Sequence, residues 1–247
     1  MPFTFAHPAI VFPINRLFRT RFSLTGLIIG SMIPDFEGFL LVTDVKVYSH
    51  TWHGMFWLDM PMGLALAFLF HLVIRDRLID NLPLFFKRRL IAYKKLDWNK
   101  YFKANVGLVL LSFLIGIFSH ILWDDFTHLN GFFVRHIPFL HSSYNLTGEP
   151  YPVYKMLQLG TSVLGVIAVL IGIGMLQQQK RVHKQSNTIY WAIVFCITAS
   201  FVAFRFFLGL EIGDFSLLLI TAMSGGLLGV TMASILTQEI KYNPKRG

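Results

Sequence analysis

Charge is scarce in this chain, and cysteine is almost absent. Only 14% of the residues are charged, against 54% hydrophobic, with a mean hydropathy of +0.57. A soluble domain carries roughly 25% charged residues to cover its surface, so a water-soluble globular fold is excluded. The single cysteine, Cys196, lies inside an apolar run, which rules out an intrachain disulfide and a CxxC metal knuckle. No internal repeat and no linker interrupts the chain. The opening MPFTFAHPAIVFP has neither a cationic leader nor a small-residue cleavage site, so the first membrane segment is expected to serve as the targeting signal.

What the chain has instead is long apolar runs. Of its 247 residues, the stretches 55–74, 105–124, 155–177, 189–209 and 214–236 meet or approach the ~20 residues needed to cross a bilayer. Residues 22–41 form a sixth run, but Pro34, Asp35 and Glu37 make its last third unlike a lipid-facing helix. A shorter apolar piece, Pro8 to Phe18, precedes it and as a helix spans only ~18 Å. The expected fold is therefore all-α, a polytopic transmembrane helical bundle of six full spans plus a short N-terminal half-helix. Residues 1–154 are expected to form the core that carries the site, and residues 155–247 to add accessory transmembrane helices.

The formal net charge of +9 would suggest nucleic acid in a soluble protein. Here the cations sit between apolar runs, so no nucleic-acid partner is expected. Arg16, Arg19 and Arg21 form one group, and the stretch from Arg75 to Lys103 a second. Lys180, Arg181 and Lys184 form a third, and Lys241, Lys245 and Arg246 a fourth. Alternate crossings bring all four to one side, while the loops 42–54, 125–154 and 210–213 carry few cations, Lys46 and Arg135 among them. The positive-inside rule makes the first side cytoplasmic. The expectation is a multi-pass plasma-membrane protein with a cytoplasmic C-terminus and residues 78–103 as a cytoplasmic loop or interfacial amphipathic helix.

The ionisable residues then gather at the opposite face. His7 opens the chain, Asp35 lies in SMIPDFEG, His50 and His53 in YSHTWHG, and His120, Asp124, Asp125 and His128 in FSHILWDDFTH. A hairpin folded near residue 21 would bring His7 beside Asp35. On a continuous helix His120, Asp124 and His128 follow one stripe, drifting by about 40° per step. A carboxylate between imidazoles is a good surface for a divalent ion, and ionisable groups at membrane depth are costly unless paired or functional. The expected metal ligands are His7, Asp35, His50, His120, Asp124 and His128, holding one or two ions, with zinc the expected metal. Asp35 and Asp124 are the catalytic candidates. Asp59 is a candidate supporting residue, and His71 is read as structural. Roles for His53, Asp125, His136, His141 and Arg205 are left open.

The segments MPFTFAHPAI, GSMIPDFEGF, YSHTWHG, LDMPMG and GIFSHILWDDFTHLNG resemble, over residues 1 to about 150, the bacterial membrane family catalogued as domain of unknown function number 4184. That resemblance brings no activity with it. The order of motifs is more distantly similar to YdjM-like membrane-bound metal-dependent hydrolases, with Glu37 where those have a second Asp and no Arg in the His50 motif. It is also similar to the zinc-dependent phospholipase C and P1-nuclease group. That similarity implies one zinc on Asp35, His50, His120 and Asp124, with His7 and His128 serving neighbouring metals. The closing His-x3-Glu pair of that group is missing. Three readings follow: a membrane-embedded zinc hydrolase acting on a phosphoester or lipid-linked substrate, a metal-ion or solute transporter, and a membrane protein with a structural metal. Membrane lipid is the expected partner under the first; the oligomeric state is open.

Overall fold

The computed structural model describes residues 3–17, 22–45, 47–146, 148–180, 182 and 188–241. Arg19, Arg21, Lys46, Arg181, Lys184, Lys245 and Arg246, on which part of the charge pattern rests, lie outside the described residues, as do the side chains of Arg16 and Lys241. Among the described residues, six helical stretches are long and apolar enough to cross a membrane: Leu24–Leu41, Trp52–Asn81, Val106–His136, Val153–Gly174, Thr188–Phe207 and Phe215–Thr237. In hydrocarbon a backbone must satisfy its own N–H and C=O groups, and a helix does so within one segment. The expected all-α polytopic bundle is thus found.

The elements, in chain order, begin with α1 (Pro8–Leu17), the short N-terminal helix. The next span is built from α2 (Leu24–Gly30) and α3 (Phe36–Leu41), separated by a 3-10 turn at Ile33–Asp35. Pro34 supplies no N–H, so the helix cannot run through it unbroken. Helix α4 (Trp52–Asn81) contains two π-helical turns, Met55–Asp59 and Phe70–Ile74. The basic region folds into α5 (Leu84–Leu90) and α6 (Trp98–Ala104), with Pro83 at the N-cap of α5.

Helix α7 (Val106–Thr127) is followed by two short helices, α8 (Phe132–His136) and α9 (Pro138–His141). An antiparallel hairpin not expected from the sequence comes next: β1 (Ser143–Leu146) pairs with β2 (Glu149–Pro152), Ser143 opposite Pro152. Three long helices complete the chain: α10 (Val153–Gly174), α11 (Thr188–Phe207) and α12 (Phe215–Lys241).

The chain divides into two compact units. One comprises residues 1–36, 47–64 and 105–172; the other comprises 37–46, 65–104 and 173–247. In the first unit α2 lies against α7 at backbone distance. A Cβ on Gly116 would sit 2.6 Å from the Leu27 carbonyl oxygen, and one on Gly26 would sit 2.8 Å from Ser112 Cβ. Small residues four apart on both helices allow this approach, the usual device for helix pairs where lipid offers no hydrophobic drive. The seam is pinned at one end by the Ser23 N–H, which donates to Ser112 Oγ at 2.9 Å. In the second unit α11 and α12 pack together, and Ser224 on α12 donates to the Phe39 carbonyl at 2.8 Å.

Candidate metal centre

The close seam between α2 and α7 has a chemical result. It places the Ser31 carbonyl 2.8 Å from His120 Nδ1. A carbonyl only accepts, so Nδ1 carries the proton and the lone pair of the neutral ring resides on Nε2. That Nε2 lies 3.6 Å from Asp35 Oδ1 and 3.4 Å from Asp124 Oδ2. His120 and Asp35 are both 0% exposed. Among the described residues, His120 Nε2 and Asp124 Oδ1 are buried without a hydrogen-bond partner.

Each ligand candidate is delivered by a different local device. Asp35 ends the 3-10 turn that Pro34 forces, and it accepts a short hydrogen bond from the buried Thr4 hydroxyl. His50 sits in a tight turn closed by Thr51, whose Oγ1 donates to the Tyr48 carbonyl at 2.8 Å and accepts from the Gly54 N–H at 2.9 Å. A Cβ on Gly54 would collide with that carbonyl, so the turn requires glycine there. His50 Nδ1 meets Ser49 Oγ at 3.0 Å, and its Nε2 lies 3.2 Å from Asp124 Oδ2. Asp124 stands one turn after His120 on α7. Asp35, His50, His120 and Asp124 each offer a ligand atom within 4.8 Å of all the others, a set that could hold one metal ion.

His7 and His128 flank this set. The His7 ring stacks on His120 with centroids 3.9 Å apart, and its Nε2 lies 3.8 Å from Asp124 Oδ1. The expected convergence of His7, Asp35 and His120 is therefore present. His128 does not continue the helical stripe. α7 ends at Thr127, and His128 is its C-cap with extended backbone (φ −119°, ψ 143°). Its ring nevertheless turns back, with Nδ1 3.5 Å from Asp124 Oδ1 and Nε2 3.2 Å from the Gln158 amide nitrogen of α10. The floor of the cluster, His120 and Asp35, is buried, whereas the side chains of His50 and His128 are 27% and 32% exposed.

The remaining polar residues fall elsewhere. Asp125 accepts from the Phe132 N–H at 3.0 Å and shapes the turn after α7. His136 bonds the Phe132 carbonyl of its own helix, His141 lies beside Tyr154, and His53 is exposed; none of the three belongs to the four-residue set. Asp59 is fully buried on the first π turn of α4, and Glu37 is buried at the start of α3. Arg205 donates to the Val42 carbonyl at 3.4 Å, and Val42 has an unusual positive φ of 50°. Thr4, Ser31, Ser49 and Gln158, which contact the cluster, were not singled out from sequence. Thr4, Ser31 and Ser49 fall inside the quoted motifs, whereas Gln158 lies outside them.

A polytopic helical membrane protein with a buried His/Asp cluster is the class that fold and site define. The family model described as domain of unknown function (DUF4184) matches residues 1–235, and the chain belongs to that family. The match runs beyond the motif-bearing first 150 residues and takes in nearly all of the last three spans. No curated protein and no solved structure matches the chain.

Proposed function

We propose that this protein is a membrane-embedded, metal-dependent hydrolase that acts on a phosphoester or lipid-linked substrate at the outer face of the plasma membrane. One observation carries the reading. The Ser31 carbonyl fixes the Nδ1–H of His120, so its Nε2 faces two buried carboxylates. Two buried carboxylates around one imidazole nitrogen need positive charge there, from a bound metal ion or from a second ring proton, and the convergence of His50 on the same Asp124 favours the ion. The donor set of two imidazoles and two carboxylates suits zinc.

Asp35, His50, His120 and Asp124 are the residues that would hold the ion, with His7 and His128 available to a neighbouring one. When bound, zinc supplies Lewis-acid polarisation and lowers the pKa of water toward 7. The protein's own residues do the rest. Thr4 orients Asp35, the candidate general base, through its hydroxyl. The buried floor excludes bulk water, while the partly exposed rings of His50 and His128 leave a side open to substrate. Exposed Tyr48 and Trp52 beside His50, and Phe132 beyond His128, supply the aromatic character of a membrane interface. The order of motifs, which resembles that of YdjM-like hydrolases and the zinc-dependent phospholipase C group, is in line with the same reaction class. The clustering of cations between the other ends of the spans supports a cytoplasmic C-terminus.

A second reading, a structural ion that staples helices, is favoured by the count of donors, since the four residues already suffice for a closed tetrahedral sphere. An assay separates the two. Purified protein is tested against phospholipid and lipid-diphosphate panels, with metal content measured in parallel. Hydrolysis that disappears in Asp35→Ala and His120→Ala supports the proposal. Zinc bound at full stoichiometry with no turnover of any phosphoester supports the structural ion.

A further inference from the structure

Beside the cluster lies a cavity of about 280 Å³ between the N-terminal segment and α10. Its walls come from Ala6, Ala9 and Ile10 on one side and Leu164, Gly165 and Ala168 on the other. His7 and Trp123 line it as well. His7 stacks on His120, and Trp123 immediately precedes Asp124, so the cavity reaches the cluster through two residues.

The wall chemistry is apolar by construction. Thr161 and Ser162 also line the cavity, but their hydroxyls donate to the Leu157 and Gln158 carbonyls of their own helix at 2.6 and 2.7 Å. Ser162 Oγ further accepts from the Phe3 N–H at 3.1 Å. Serine and threonine in a membrane helix spend their hydroxyls this way and present carbon to the neighbour. Gly165 lets Ala6 approach so closely that a Cβ there would lie 2.7 Å from Ala6 Cβ. The N-terminal segment is thereby tied to α10 at this point, with the cavity alongside the tie. The flank of α10 that continues from it carries exposed Val163, Leu164, Ile167, Leu170 and Ile171, a hydrocarbon-facing surface.

We infer that this cavity is a lateral groove that takes the acyl chain of a bilayer phospholipid and so sets its phosphate beside the metal cluster. The substrate role of that lipid rests on the hydrolase reading; occupancy of the groove does not. Continuity with the lipid-facing flank of α10 selects the occupant, because acyl chains are the solvent of that surface. A soluble phosphoester has no use for such a wall.

The test uses the full chain in phosphatidylcholine nanodiscs containing a phosphatidic acid with a diazirine on one acyl chain. After illumination, cross-links are mapped by peptide mass spectrometry, and bound zinc is counted. Labelling is expected to concentrate on residues 6–10 and 161–168 over the lipid-facing residues of α11. Ala9→Phe and Ala168→Phe, which fill the groove from opposite walls, are each expected to abolish the excess of groove labelling over α11, because the added ring takes the volume the chain would occupy. Zinc content and α11 labelling stay unchanged. Equal labelling of α10 and α11, or groove labelling that survives both substitutions, overturns the inference. Labelling is read without turnover: a protein that labels in the groove yet hydrolyses no phosphoester keeps the groove and loses the hydrolase reading.

Discussion

Among the described residues the spans bury two histidines, one in each compact unit, and they are treated in opposite ways. His71, on the second π turn of α4, stacks on Trp98 with centroids 4.4 Å apart and rings 7° from parallel. Its Nδ1 lies 3.1 Å from Arg75 Nη1, and Arg75 goes on to donate to the Leu96 and Lys94 carbonyls. Arg75 also pairs with Asp76 at 2.7 Å. This is a closed polar knot that fastens the chain between α5 and α6 to α4. His120 has one ring nitrogen fixed and the other aimed at two carboxylates with no hydrogen bond. Burial alone does not mark a functional histidine. What sets His120 apart is a ring nitrogen left over beside two carboxylates, a costly arrangement that a bound cation would relieve.

That contrast breaks most sharply on metal content. His120→Ala or Asp35→Ala is expected to lower zinc affinity by at least about 100-fold, the upper range already seen for residues that merely support a ligand. His71→Ala is expected to leave zinc stoichiometry unchanged and to destabilise the fold by roughly 1–3 kcal/mol, the cost of stranding a buried donor. Equilibrium dialysis with zinc, run beside thermal unfolding in detergent, reads both. Equal zinc loss in the two variants would erase the distinction between the histidines.

A smaller effect is expected at the seam. Gly116→Val forces α7 away from Leu27 and Ser31, and with them from the carbonyl that sets the His120 tautomer. An overpacked site costs roughly 1–3 kcal/mol, and zinc affinity should fall with it. Gly107→Val, on the same helix with open space around it, is the control and should do neither. The smallest change comes from Thr4→Val, which removes the hydroxyl on Asp35 while keeping its shape. A fall of about tenfold in zinc affinity is expected, with the melting temperature in the zinc-free state nearly unmoved. A Thr4→Val protein indistinguishable from wild type in zinc titration would remove Thr4 from the site.

The spans and most of the cluster were legible in the sequence, for different reasons. A bilayer imposes length and polarity limits so strict that runs such as 155–177 and 189–209 declare themselves. His7, Asp35, His50, His120 and Asp124 were legible because ionisable residues are rare in such runs and these all fell toward one end. What escaped was set by backbone and by contacts between distant segments. The Ser31 carbonyl has no side-chain signature. The π turns of α4 leave the apolar pattern intact. His128 keeps the i+8 spacing yet lies past the last helical residue, so periodicity misplaced its backbone while its ring still reached Asp124. Gln158 is thirty residues further on, and only α10 packing against the first unit's other elements could reveal it. The β1–β2 hairpin, a short pairing outside the apolar runs, gave no alternation long enough to read.

The glycine seam between α2 and α7 also imposes an order of events during synthesis. A nascent chain that has emerged through α6 already holds His7, Asp35 and His50, but the imidazole and carboxylate of α7 do not yet exist, nor does the carbonyl contact that selects the tautomer. The set of four residues that could hold an ion is completed only when α7 has entered the bilayer and closed on its glycine-lined neighbour. Ion capture would therefore report closure of this seam, and a chain stalled before that point holds His7, Asp35 and His50 without the His120 and Asp124 that complete the set.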